Sequence, residues 1–302
     1  MRALVLAALL PALPLMAHAK HRAADPQAPA KVHRVEKVAE GAYCIFGEGG
    51  NIGLVVTSRH AILIDDQFER LVPGLLEAVR GVTDKPIKYL VNTHFHGDHT
   101  GGNVVLEKQV TAIVAHSNVR RRLETQQAKL EPAKRGGLPE LAFGWPDPKE
   151  KAYLAIHLDG TEIHLAHFGP GHTDGDVLVG IPAQKFMHLG DIFFNGSLPY
   201  IDVSAGGSLE GLLANVEAVL GFLPEGAKLI PGHGPVGTNK DLVRYRDFLK
   251  AIQAHLKAHP GQGGKDLDAA FDHKAWSDFK PLGTFLTWER FFDLAAGRPP
   301  GR

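Results

Sequence analysis

Six consecutive residues constrain this chain more than any other feature of it. His94-Phe95-His96-Gly97-Asp98-His99 sets three imidazoles and a carboxylate almost side by side. Clustered polar side chains are costly to bury unless something pairs with them, and a metal ion suits this set. Imidazole and carboxylate ligands fit zinc, iron or nickel. The cluster follows Tyr89-Leu90-Val91-Asn92, which reads as a short buried strand, and precedes Gly101-Gly102-Asn103. A loop leaving a sheet edge can turn all four side chains into one pocket, whereas a regular helix or strand spreads them over its faces. The expectation is a metal-binding loop at a strand end.

Four ligands can fill one metal, but a catalytic metal also keeps a position open. Further candidates occur in similar settings. His172 lies in Phe168-Gly169-Pro170-Gly171-His172-Thr173, a glycine-rich turn after a strand. Asp191 ends the apolar run Phe186-Met187-His188-Leu189-Gly190-Asp191, and His233 sits in Pro231-Gly232-His233-Gly234. Each offers one ligand from a tight loop, and all could share one sheet edge. Among the other polar residues, His188 reads as an interior histidine with its own hydrogen bonds. His164 and His167 have opposite strand parity, so one of them faces outward. Arg120-Arg121-Arg122 reads as a solvated helix face. His116, Thr173 and Asp65 are candidates to orient the ligands, and Tyr200, Asn195 and Trp145 to contact substrate.

The intervening patterns alternate strand and helix. Strands are expected at residues 53–57 and 61–65, joined as a hairpin, and at 89–92 and 112–115. In the second half they fall at 155–158, 162–168, 176–181, 185–193 and 228–231. Helical spacing appears over 68–79 with a true start near Pro73-Gly74, over 102–108, over 117–130, and from Ser208 as a cap to 222. Residues 241–256 form an amphipathic helix, and 276–294 add another that packs on the body. Residues 131–150 carry Pro132, Pro139, Pro146 and Pro148 without periodicity and read as an irregular lid or wall bearing Phe143 and Trp145. Two mixed sheets with helices outside each, in two similar halves, is the architecture this order implies.

The chain balances 33 Lys and Arg against 33 Asp and Glu, so it lacks the basic footprint of a nucleic-acid partner. Arg2, the apolar residues 3–13 and Ala17-His18-Ala19 make a cleavable secretory leader. That apolar run is shorter than the roughly 20 residues a spanning helix needs, so no membrane insertion is expected after cleavage. Cys44, the single cysteine, rules out an internal disulfide and reads as a small buried hydrophobe. Export to a bacterial periplasm, or secretion, fits these features.

Taken in order, H-F-H-G-D-H at 94–99, G-P-G-H-T at 169–173, L-G-D at 189–191 and P-G-H-G at 231–234 resemble the metallo-beta-lactamase superfamily. The resemblance implies an αββα sandwich of two mixed β-sheets flanked by helices. After the leader (1–19) and an Ala/Pro-rich start expected to be disordered (20–31), it implies a metallo-beta-lactamase-fold catalytic domain (32–240), followed by a C-terminal helical extension packed on it (241–302). It also implies that His94, His96 and His172 bind one zinc, that Asp98, His99 and His233 bind a second, and that Asp191 bridges them. Two ions about 3.5–4 Å apart share a water whose pKa falls toward about 7. Asp98, the catalytic candidate, would orient the resulting hydroxide.

The resemblance also limits the name. Zinc beta-lactamases with a cysteine ligand carry it where this chain has Asp191, with a lysine three residues on, where it has Phe194. Asp191 with His99 is more similar to the glyoxalase II side, which hydrolyses thioesters. The expected activity is hydrolysis of a small-molecule amide, lactam, ester or thioester, with beta-lactamase proper as one form of it. The alternative is a persulfide dioxygenase-like oxidoreductase holding one iron on His94, His172 and Asp191.

Overall fold

Burial along the strands shows which faces are paired. In Ala42–Phe46 (β2), Ala42 and Cys44 belong to one apolar cluster and Ile45 to another. In Ala61–Ile64 (β4), Ile62 and Ile64 share the first cluster while Ala61 and Leu63 share the second. Successive side chains of a strand point to opposite faces, so this sheet is covered on both sides. Its inner face meets Ile163, Leu165, Val179 and Ile230 of a second sheet, and its outer face packs on helix.

The computed structural model describes residues 33–144 and 150–299. The expected leader, the expected disordered start and Trp145 lie outside the described residues. The first sheet runs β1 to β7 in chain order: Arg34–Ala39 (β1), β2, Ile52–Val56 (β3), β4, Ile87–Val91 (β5), Ala112–His116 (β6) and Leu141–Phe143 (β7). The first four pair antiparallel and the rest parallel, which makes the sheet mixed. Its outer face carries Val72–Arg80 (α1) and Asn103–Leu106 (α3), with Gly97–Thr100 (α2) between β5 and α3. Ser117–Gln127 (α4) follows β6.

The second sheet contains Ala152–Leu158 (β8), Thr161–His167 (β9), Leu178–Ile181 (β10), Phe186–Phe194 (β11), Lys228–His233 (β12) and Gly237–Thr238 (β13), ordered from β13 to β8. Only β11 and β12 pair in parallel. Leu209–Phe222 (α5), Asn239–Ala258 (α6), Gly264–Ala270 (α7) and Trp288–Ala295 (α8) share one core with β11 and β12. The C-terminal helices are therefore built into the packing of this sheet. No helix among the described residues is long and apolar enough to cross a membrane.

Several expectations shift in detail. The stretch 131–150 is not wholly irregular, since Leu141-Ala142-Phe143 pairs in parallel with β6 at the sheet edge. Three residues between prolines are too few to show alternation. Phe143 packs toward the inter-sheet core and against His116, so it serves packing. Asp191 does not end its strand: β11 continues to Phe194 past an irregular register around Gly190, whose φ is 50°. Helix α6 begins at Asn239 because Asp241 is the third residue of a capping box, accepting from the Thr238 amide and hydroxyl.

Phe248 in α6 is fully buried and stacks on Phe279 at 4.1 Å and Phe291 at 5.8 Å between ring centres. Phe248→Ala is expected to destabilise the chain by about 3–5 kcal/mol in one cooperative denaturant transition. An unchanged midpoint would show that the C-terminal helices contribute nothing to the core.

Candidate metal centre

All seven predicted ligands meet at one end of the sandwich. His94 and His96 leave the end of β5, His172 follows β9, Asp191 lies on β11 and His233 ends β12. Asp98 and His99 are carried by α2, a single helical turn. The cluster is thus half loop and half helix, not the pure loop its density suggested. His96 caps that turn, its carbonyl accepting from the His99 and Thr100 amides.

The side chains sort into two groups whose ligand atoms lie within 4.8 Å of one another: His94, His96, His172 and Asp191 in one, Asp98, His99 and His233 in the other. Asp191 lies between them. Its Oδ2 is 3.4 Å from His172 Nε2 and 3.6 Å from His233 Nε2, and its Oδ1 is 3.2 Å from His99 Nε2. Asp98 Oδ2 stands 3.4 Å from His233 Nε2 and 3.7 Å from His99 Nε2.

Hydrogen bonds on the outer side of four of the rings assign their tautomers. His96 Nε2 donates to Asp202 Oδ2 at 2.9 Å, and His172 Nδ1 donates to the Tyr200 carbonyl at 2.7 Å. His99 Nδ1 donates to Asp65 Oδ2 at 2.7 Å. Thr93 gives its hydroxyl proton to Asp65 at 2.7 Å, so it accepts from His94 Nδ1 at 3.1 Å. A neutral imidazole has one N–H, so the inner nitrogens of His94, His96 and His172 are left as lone pairs. They face one another at 3.0 and 3.1 Å. Lone pair against lone pair at that distance is repulsive without a shared cation. Tetrahedral zinc at about 2.0–2.1 Å from each nitrogen would space them roughly 3.3 Å apart. Where the two groups meet, the buried His99 Nε2 and Asp191 Oδ1 have no hydrogen-bond partner.

Charge supports the same reading. Burial drives His94 well below the usual imidazole value and His172 to about 4, so both rings are neutral and could donate a lone pair to a metal. Burial also opposes charge on His99 and His233, but Asp191 and Asp98 outweigh it, lifting His233 to about 9 and His99 well upward. Asp191 is held well below the carboxylate range, and Asp98 near 2, by these histidines against the effect of burial. The negative field that would keep protons on His99 and His233 would equally hold a cation, whose binding must release them.

Among the expected orienting residues, Asp65 does hold His99, and it also binds the Thr93 amide at 2.7 Å. Thr173 does not touch a ring: its amide and hydroxyl bond the buried Asp176. His116 stacks on His167 at 4.2 Å and caps α4 through the Asn118 amide. His188 is a satisfied interior histidine, bonded to the Asn51 carbonyl and the Gly190 amide. His167 is buried while His164 is partly exposed beside Glu162. The arginine run is not wholly solvated: Arg122 forms a bidentate pair with Asp174, two residues after His172, and lies over Phe95. Tyr200 stands at the rim, 5.9 Å from both His96 and His172 between ring centres. Asn195 instead braces the turn after His233 by donating to the Pro235 carbonyl. Sequence reasoning missed Asp202 and Asn51. Asn51 donates to the carbonyls of Pro231 and Gly234 on either side of His233, 180 and 183 residues away.

A family profile described as the metallo-beta-lactamase superfamily matches residues 45–233. Over 200 residues the chain is 25% identical to a metallo-beta-lactamase type 2 of Bacillus sp. (strain 170), which spans 66% of this chain and 72% of that one. Over 210 residues it is 25% identical to an acyl-coenzyme A thioesterase of Gallus gallus, spanning 62% and 73%. In structure it is similar to a metallo-beta-lactamase from Pontibacter korlensis, with a TM-score of 0.59 at 20% identity, over 72% of this chain and 99% of the other. The two flanked mixed sheets are thus the αββα sandwich of that fold.

Gly232 packs so closely on Asp191 that a Cβ there would overlap Oδ1, whereas a Cβ on Gly97 would meet nothing within 4 Å. Gly232→Ala is expected to weaken metal binding by roughly 100-fold, in the range of lost ligand support, with Gly97→Ala close to wild type. Zinc titration of the purified variants checks this. Equal affinity in Gly232→Ala would show that Asp191 is not a ligand.

Proposed function

Because this chain belongs to the metallo-beta-lactamase superfamily, we propose that it is a dinuclear, zinc-dependent hydrolase of small acyl derivatives: esters, thioesters or amides, lactams included. The observation that carries this reading is Asp191, which stands within 3.2–3.6 Å of imidazoles from both ligand groups. The complete second group of Asp98, His99 and His233 favours two metals over a single iron. The relatives named as a beta-lactamase and as an acyl-coenzyme A thioesterase support acyl transfer to water.

His94, His96 and His172 would hold one ion, Asp98, His99 and His233 the other, with Asp191 shared. Bound there, divalent ions supply Lewis acidity, lowering the pKa of water from 15.7 toward about 7 and polarising an acyl oxygen. The protein's own contribution is rigid placement. Asp65, Asp202, Thr93 and the Tyr200 carbonyl orient the rings of His99, His96, His94 and His172 with the other nitrogen turned inward. Asp191 is only 5% exposed, so its negative charge serves the interior. Asp98 is 30% exposed and is the acid that can face a substrate. Held near 2, it is a poor proton acceptor and a persistent hydrogen-bond acceptor, which suits orienting the attacking water.

One feature narrows the substrate. At the position of the carboxylate-gripping lysine, Phe194 stacks nearly flat on His233, with ring centres 5.2 Å apart. The substrate is therefore not anchored there by a carboxylate. The name beta-lactamase would require a different anchor.

The test is a panel of chromogenic ester, thioester, lactam and lactone substrates with zinc-loaded protein. His96→Ala and Asp98→Ala are expected to lower kcat/KM by at least about 10²–10⁴-fold while the unfolding midpoint stays near wild type. Full activity in either variant would refute the mechanism.

A further inference from the structure

The family-matched residues end at 233, yet the chain continues beyond them past the rim of the site. Its return is fixed by backbone bonds: the Leu198 amide donates to the Lys280 carbonyl at 2.8 Å, and the Lys280 amide to the Gly196 carbonyl at 3.2 Å. The C-terminal segment is thereby sewn to the loop that carries Tyr200 and Asp202. A tight turn follows, in which the amides of Phe285 and Leu286 both donate to the Leu282 carbonyl. Gly283, at φ 54°, supplies the left-handed residue this turn needs.

That turn presents Phe285, which is 53% exposed. A lone exposed phenylalanine is ordinary; its position is what matters. Its ring lies 5.2 Å from that of Tyr200, whose other neighbours are the rings of His96 and His172. It is also held in place: Arg290 donates to the Phe285 carbonyl at 3.0 Å and lays its guanidinium 4.9 Å from the ring centre. An aromatic surface thus runs outward from the imidazoles, one ring from the catalytic domain and one from the C-terminal segment.

We propose that Phe285 and Tyr200 form an aromatic wall that binds an apolar aryl or alkyl group of the substrate, so that the C-terminal segment sets specificity. The reading of that substrate as an acyl derivative rests on the hydrolase assignment above; the wall itself rests on the ring geometry. Phe285 is a specificity residue, since its ring stands beyond that of Tyr200 as seen from the imidazoles.

Binding of product-type carboxylates to zinc-loaded protein, measured by calorimetry, tests the wall without turnover. Acetate and 4-phenylbutyrate share a carboxylate and differ in the apolar part. Wild type is expected to bind 4-phenylbutyrate more tightly, and Phe285→Ala to lose roughly tenfold for 4-phenylbutyrate and less than about twofold for acetate. Phe285→Trp should keep the preference. Equal losses for both ligands, or no loss, would overturn the proposal. Ligand preference abolished by Phe285→Ala in a protein that hydrolyses nothing would refute the hydrolase reading and support the wall. Acyl hydrolysis with an unchanged preference in Phe285→Ala would refute the wall alone.

Discussion

The interaction on which the rest depends is the set of hydrogen bonds made on the outer side of the imidazoles. A ring whose N–H is committed to Asp65, Asp202, Thr93 or the Tyr200 carbonyl has only its lone pair to turn inward. Three such nitrogens within 3.1 Å of a neighbour are tolerable around a cation and repulsive otherwise. The fold can hold this arrangement because its apolar clusters lie elsewhere, between the sheets and beneath the helices.

Holding it still demands unusual backbone. Asp65 reaches both Thr93 and His99 from a left-handed conformation with φ 63°, and Gln67 follows at φ 61°. Non-glycine residues there carry strain that the surroundings must offset. Gln67 donates to the Gly50 carbonyl, and Gly50 sits where any side chain would run into the His99 ring. Asn51, next in sequence, ties the turn around His233 to the β2–β3 loop. A short glycine-rich loop of the first sheet thus locks a ligand carried by the second.

Much of this was legible in the sequence. The residues that converge at the site could be picked out because metal ligation demands particular residue types, and the dense 94–99 motif draws attention to them without help from the fold. β3 and β4 showed as short apolar runs and β9 through its alternation. What stayed hidden depends on distant partners. Asp202 and Asn51 look like ordinary loop residues, and only the fold brings Asn51 beside His233. Thr173 sits next to His172 and seemed its natural support, yet a closer acceptor, Asp176, takes its hydroxyl. β7 was invisible because three residues show no period, whereas β11 lies within a residue of its expected span. Phe285 gave no signal at all, since exposed aromatics acquire meaning only from what they stand beside.

Seven side chains, carried on or just after four strands and on one helical turn, would then form two adjoining metal sites sharing Asp191. Metal quantification of the purified protein, with His233→Ala alongside wild type, tests this arrangement most directly. Close to two zinc ions per wild-type chain and close to one in His233→Ala are expected. A single iron per chain, unaffected by removing His233, would contradict it.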